Sequence, residues 1–211
     1  MASKAIDYVY RPKFRHWRSR RYQWFCDALR PQSEDCLLDI GGEPTFWLSY
    51  PSVVGRIDCL NLEPRESSEP IRTLVGDGCN LSFADQSYDI AFSNSVIEHV
   101  GTWEQQQRFA AEARRVGRKL WIQTPARECP IEPHYLIIGI HWLPRRWQRY
   151  LLRWLSPWGW LAKPTSEEIA IMVETTRLLT KPEMAQLFPD CEILTEYLLP
   201  GVPKSYIAVR A

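Results

Sequence analysis

The chain has 211 residues with a formal net charge of +1 at pH 7, 45% hydrophobic and 24% charged, which is the length and composition of a globular protein able to bury a full core. A balance this close to neutrality argues against nucleic acid as a partner, and no stretch is long enough to span a bilayer. The six cysteines (26, 36, 59, 79, 129 and 191) are scattered without a C-x-x-C pair, so they are expected as small buried hydrophobes rather than disulfides or metal ligands. With no apolar leader in MASKAIDYVYRPK, the expected setting is the reducing cytoplasm and no metal is expected.

After an irregular lead-in, Phe14 to Leu29 places Phe14, Trp17, Tyr22, Phe25 and Leu29 at helical spacing, with Arg15, Arg18, Arg20 and Arg21 on the other face. That face is read either as a solvated surface or as a lid over an anionic ligand. Strands are expected at 36–40, 56–62, 71–75, 88–93 and 118–124, because each is a short apolar run that stops at a turn signal. A helix over Trp103–Val116 separates the fourth from the fifth and stops at Gly117. Thr180 and Glu183 form a capping box with Pro182 between them, which predicts a short helix to about Phe188. Strands 192–199 and 205–210 follow, joined too closely for a parallel crossover, so they pair as an antiparallel hairpin. Strands alternating with helical segments predict a doubly wound α/β sheet.

The strand ends carry the chemistry. Asp39 precedes Gly41 and Gly42; Leu62, Glu63 and Pro64 close the second strand; Asp77 and Gly78 follow the third; Asn94, Ser95 and Val96 follow the fourth. Ligands of open α/β sheets sit at such carboxyl ends, and an acid about twenty residues after the glycine turn suits a ribose diol. A carboxylate on the next strand suits an adenine amine, so the set reads as an adenosine site.

LLDIGGEP, NLEP, VGDGCNLSFADQSYDIAFSNSVIEHV and RKLWIQTP together resemble the class I S-adenosylmethionine-dependent methyltransferases, in particular the methyltransferase type 11 group. The resemblance covers about residues 34–125 and the terminal hairpin. It implies a Rossmann-like, seven-stranded α/β sheet with the last strand antiparallel, and S-adenosyl-L-methionine as cofactor. In its terms Asp39, Gly41 and Gly42 contact the methionine portion, Glu63 the ribose, Asp77 and Gly78 the adenine, and Asn94 to Val96 line the methionine side. The sequence departs from the family's Gly-x-Gly-x-Gly by reading Gly41-Gly42-Glu43-Pro44, which brings the Glu43 carboxylate to the same loop.

The chain is expected as one domain: a cap region over 1–33, a cofactor core over 34–127, a substrate or lid insert over 128–166, and a C-terminal helix and hairpin over 167–211. The insert opens with Glu132, His134 and Tyr135 at the methyl end of the site, so His134 and Tyr135 are candidates for substrate contact or general base. His99 is a further candidate, weighed against a structural role. Trp17, Tyr22, Glu132, His141 and Trp142 are expected at the acceptor. Arg145–Leu155 places Trp147, Tyr150, Leu151 and Trp154 on one face and Arg145, Arg149 and Arg153 on the other, with no acid between Pro133 and Ser166. It is read as a lid whose tryptophans cover the site, as an interfacial helix on anionic membrane, or as a homodimer surface. The expected activity is methyl transfer to a small apolar or aromatic acceptor. The alternatives are a reaction consuming S-adenosylmethionine itself, with release of methylthioadenosine, and a non-catalytic scaffold.

Overall fold

The central strands β1 and β4 are buried along almost their whole length, as a sheet covered by helices on both sides requires. The structure, a computed structural model, describes residues 17–67, 69–132, 137–156, 159–160 and 163–211, and for Glu132 the backbone alone. β1 (Cys36–Ile40), β2 (Arg56–Asn61), β3 (Ile71–Val75), β4 (Tyr88–Asn94) and β5 (Gly117–Pro125) are parallel, and a hairpin of β8 (Glu192–Leu199) and β9 (Val202–Arg210) completes the sheet. The seven strands run in the order β3-β2-β1-β4-β5-β9-β8. The last strand is antiparallel to β5, as expected, but it is inserted between β5 and β8 rather than placed at the edge. The order reverses between β1 and β4, which opens a crevice at their carboxyl ends.

Two apolar layers hold the helices. On one face Leu38, Ile40, Leu120 and Ile122 meet Phe109 and Ala113 of α3 (Trp103–Val116), with Met184 and Phe188 from α6 (Lys181–Leu187) and its end. On the other, Leu37, Ile57, Phe92 and Trp121 meet Phe25 and Leu29 of α1, helical over 17–29, and Trp47 of α2 (Pro44–Trp47). Phe25 sits edge-on to Phe92 and Trp121 at centroid distances of 5.4 and 5.9 Å, geometry that favours ring edge against ring face. None of the six cysteines forms a disulfide.

The insert is a separate small assembly. Two short strands, β6 (Ile131–Glu132) and β7 (Ile137–Ile138), lead into α4 (Arg145–Leu155), which lies against α5 (Ser166–Thr175). Its core is Ile140, Leu152, Ile169 and Val173, distinct from the two sheet layers. α5 is additional to the elements expected from the sequence, and Thr165 and Glu168 form a capping box at its start. The lid expectation is corrected in its orientation. Leu152 is buried, whereas Trp147, Tyr150 and Trp154 are 49%, 65% and 60% exposed, so the aromatic face points away from the protein.

Because Leu152 is the buried anchor of α4, Leu152→Ala should loosen the insert by about 2–4 kcal/mol. Amide hydrogen exchange should quicken over residues 145–175 while the sheet amides keep their protection; equal loss in the sheet would refute an independently held insert.

Candidate functional site

At the end of β1 the chain turns through Gly41, whose φ of +80° is costly for a side-chain-bearing residue. A Cβ there would also lie 2.6 Å from a Val96 methyl, and one on Gly42 would fall 1.7 Å from Asp39 Oδ2. The turn is therefore pressed between the end of β4 and the Asp39 carboxylate. Its backbone is tied down on both sides: Gly41 N–H donates to Leu60 O at 2.7 Å, Asn61 Nδ2 to Gly42 O at 2.7 Å, and Ser93 Oγ to Ile40 O at 2.8 Å.

Asp39 is 2% exposed and turned inward. Pro44 starts α2 directly after the turn, and that helix returns Trp47 Nε1 to donate to Asp39 Oδ2 at 2.7 Å. Burial pushes the Asp39 carboxyl up to about 7; the Trp47 bond opposes the shift and the Glu43 charge adds to it. Its Oδ1 has no hydrogen-bond partner. Asp39 thus shapes the glycine turn from below instead of reaching into the cleft. Glu43 is drawn to Arg65: its Oε1 lies 3.2 Å from Arg65 Nε, and the same guanidinium is 3.6 Å from Glu63 Oε2.

The neighbouring ends complete the edge. Glu63 is exposed at 79% after β2, with Leu62 beside it at 75%, and Pro64 follows. Asp77 Oδ1 accepts from Cys79 N–H at 2.8 Å and fixes the turn after β3. Gly78 is needed for packing, since a Cβ would come within 2.8 Å of Ile40 and 2.9 Å of Phe109. Asn94 Oδ1 accepts from Arg21 at 2.8 Å, and Ser95, at φ +60°, donates to Gln123 Oε1 at 3.0 Å.

The α1 residues divide differently from expectation. Tyr22 is buried, donates to Pro51 O and stacks on Tyr50 at 4.3 Å, so its hydroxyl is committed within the fold. The Trp17 ring lies 3.7 Å from Lys204 Nζ. Arg21, one of four arginines read as a common face, turns inward between Asn94 and the buried Glu196, 3.8 Å away. A helical wheel cannot single it out, because the partners lie on β4 and β8.

Beyond β4, Glu98 is fully buried, and Thr124 Oγ1 donates to its Oε2 at 2.9 Å. His99 Nε2 lies 4.0 Å from Glu98 Oε1, and its Nδ1 is 3.4 Å from Thr176 Oγ1. Thr176 also borders a cavity of about 270 Å³ lined by Arg127, His141, Arg145, Gln148 and Arg177. Arg177 is committed to Gln106 and Glu183 and stacked over Trp103. Arg127 and Arg145 have no acidic partner among the described residues. His141 faces this cavity with its Nε2 2.9 Å from Arg127 O; Trp142 fastens its indole N–H to the same carbonyl at 3.1 Å but is 56% exposed. His134, Tyr135 and the Glu132 side chain lie outside the described residues. Arg127, Arg145 and Thr176 had no sequence signal, because long-range packing alone brings them together.

Residues 54–120 match the family profile described as a methyltransferase domain. No curated protein matches in sequence at a significant level. Among solved structures, a chain of the Haloferax volcanii complex that contains the Trm112 methyltransferase activator aligns at 15% identity over 99% of this chain and 94% of its own, with a TM-score of 0.57. The PH0226 protein of Pyrococcus horikoshii OT3 aligns at 15% over 93% and 89%, with a TM-score of 0.55. The N-methyltransferase NodS of Bradyrhizobium japonicum WM9 aligns at 14% over 91% and 93%, with a TM-score of 0.52. The match to a methyltransferase domain implies S-adenosylmethionine binding. The strand-end residues fit such a group: Glu63 and Asp77 are exposed acids at the carboxyl ends of β2 and β3, and the unsatisfied Asp39 Oδ1 beneath the glycine turn would be offset by a cationic ligand over that turn.

A carboxyl whose folded-state value is about 7 instead of 3.8 keeps its proton in the fold while the unfolded chain has released it. Asp39 therefore subtracts stability as pH rises from about 4 through 7. Urea unfolding at about pH 5 and pH 8 should show wild type losing more stability than Asp39→Asn across that interval; equal losses would refute a buried, raised carboxyl.

Proposed function

From the fold and matched segment of the class I S-adenosylmethionine-dependent methyltransferases, we propose that this chain is an enzyme that transfers a methyl group from S-adenosylmethionine to a small-molecule acceptor bearing an anionic group. The observation that carries the reading is the alignment of Asp77, Glu63, the Gly41-Gly42 turn and Asn94 at the carboxyl ends of adjacent strands β3, β2, β1 and β4. Glu63 would hold the ribose hydroxyls, Asp77 the adenine amine, and Asn94 to Val96 the methionine side. Arg21, fixed against Asn94, adds a buried cation on that side, suited to the amino-acid carboxylate.

When bound, the cofactor supplies an already activated methyl group on sulfur, so the protein's part is alignment and exclusion of water. The cavity adjoining His99 is the acceptor site in this reading. Its lining favours a polar, anionic acceptor through Arg127 and Arg145. The aromatic residues that pointed to an apolar acceptor do not line it. His99, oriented between Glu98 and Thr176, is the base where the nucleophile must lose a proton, with His134 and Tyr135 retained as candidates on the adjoining loop.

Isothermal titration should detect S-adenosylhomocysteine binding, and Glu63→Ala should weaken it by about tenfold or more, since hydrogen bonds to a charged group are lost. Wild-type protein that binds neither S-adenosylmethionine nor S-adenosylhomocysteine would end this reading.

A further inference from the structure

Among the described residues between 142 and 160, Trp142, Trp147, Tyr150, Trp154 and Trp160 are each about half exposed or more, at 56%, 49%, 65%, 60% and 64%. A surface of this kind on a globular protein marks an interaction site. α4 is divided lengthwise. Leu152, with Gln148 and Leu151 partly covered, faces α5; Trp147, Tyr150 and Trp154 recur at i, i+3 and i+7 along one open side; Arg145, Arg146, Arg149 and Arg153 run along the other, all exposed. Trp160 extends the aromatic side, its indole N–H donating to Trp154 O at 2.6 Å, and Trp142 is likewise fastened to Arg127 O. With those N–H groups satisfied by backbone, their outward surface is carbon.

We propose that this face docks the protein on an anionic lipid bilayer, with α4 lying in the interface, its aromatic stripe at headgroup depth and its arginine stripe against acidic headgroups. Tryptophan and tyrosine prefer that depth because an apolar ring and a polar edge are both accommodated. The charge pattern selects the partner. No aspartate or glutamate occurs from 137 to 165. Of the three acids on α5, Glu174 is ion-paired with Arg149, Glu168 closes its capping box, and Glu167 stands exposed in the first turn. Arg145, Arg146 and Arg153 have no acidic partner among the described residues. A second copy of this chain would bring two such arginine stripes together without acids to offset them, and protein interfaces are depleted in charge at their centres. An anionic bilayer satisfies both stripes at once. No helix among the described residues is long and apolar enough to cross a membrane, so the contact is peripheral. α4 also supplies Arg145 and Gln148 to the cavity, which places an acceptor held there one helix away from lipid.

Co-sedimentation of the whole chain with vesicles of phosphatidylcholine alone and of phosphatidylcholine with phosphatidylglycerol tests this. Binding should favour the anionic vesicles by about tenfold or more and weaken as salt rises. Trp147→Ser with Trp154→Ser, and separately Arg146→Gln with Arg153→Gln, should each cut anionic-vesicle binding by about tenfold, with thermal midpoint and S-adenosylhomocysteine affinity unchanged. Absence of binding to anionic vesicles, or wild-type binding by both double variants, would overturn the proposal. So would a light-scattering dimer that the tryptophan variant converts to monomer, without vesicle binding by either. The vesicle result is independent of the methyl-transfer reading, which stands or falls on S-adenosylhomocysteine binding by the wild type.

Discussion

One hydrogen bond, from Trp47 Nε1 to the buried carboxylate of Asp39, ties the glycine turn after β1 to the helix that follows it. Side chains alternate along β1, so Leu37 and Asp39 face α1 and α2 while Leu38 and Ile40 face α3. A carboxylate on that apolar side is expensive without a donor, and Trp47 is the donor that a four-residue helix beginning at Pro44 can bring back to it. The same ring then stands 4.9 Å from Phe92 and 6.0 Å from Phe25, which seats α1 and carries Arg21 to Asn94. The Gly-Gly-Glu-Pro sequence, unusual beside the family's glycine pattern, is thereby accounted for: Gly42 clears the carboxylate, Pro44 starts the helix, and Glu43 is drawn off to Arg65.

The sheet was legible because its signals are local. Each parallel strand is an apolar run that ends in a glycine or a polar residue, and α3 lies within the bounds its periodicity predicts, Trp103–Val116. The strand-end residues follow from the strands, since register brings Asp39 beside Cys59 on one side and Phe92 on the other. What was not legible depends on neighbours that sequence spacing does not specify. The Arg15–Arg21 run displays several cations, yet only a structure shows that Arg21 turns toward Asn94 and Glu196. α5 differs, because its start carries a local signal, the capping box of Thr165 and Glu168.

The insert shows why amphipathicity leaves orientation open. Its wheel offers an aromatic face and an arginine face, and the natural inference buries the aromatics. The structure instead buries Leu152, in the sector between them, against Ile169 and Val173. A modest aliphatic contact suffices to orient α4 because α5 offers a matching apolar strip, and both large faces are left outside. An apolar stripe on a wheel says that a partner exists, not that the partner is the rest of the chain.

The net charge of +1 also conceals a segregation that bears on chemistry. Glu43, Glu63 and Asp77 stand at the carboxyl ends of the strands, with Arg65 beside the two glutamates, whereas Arg127 and Arg145 line the cavity and Arg146 and Arg153 lie exposed on α4. The sorting is by element, with the acids on the loops after β1, β2 and β3 and these arginines on the loop after β5 and on α4, so the cavity, with no acid among its lining residues, presents positive charge.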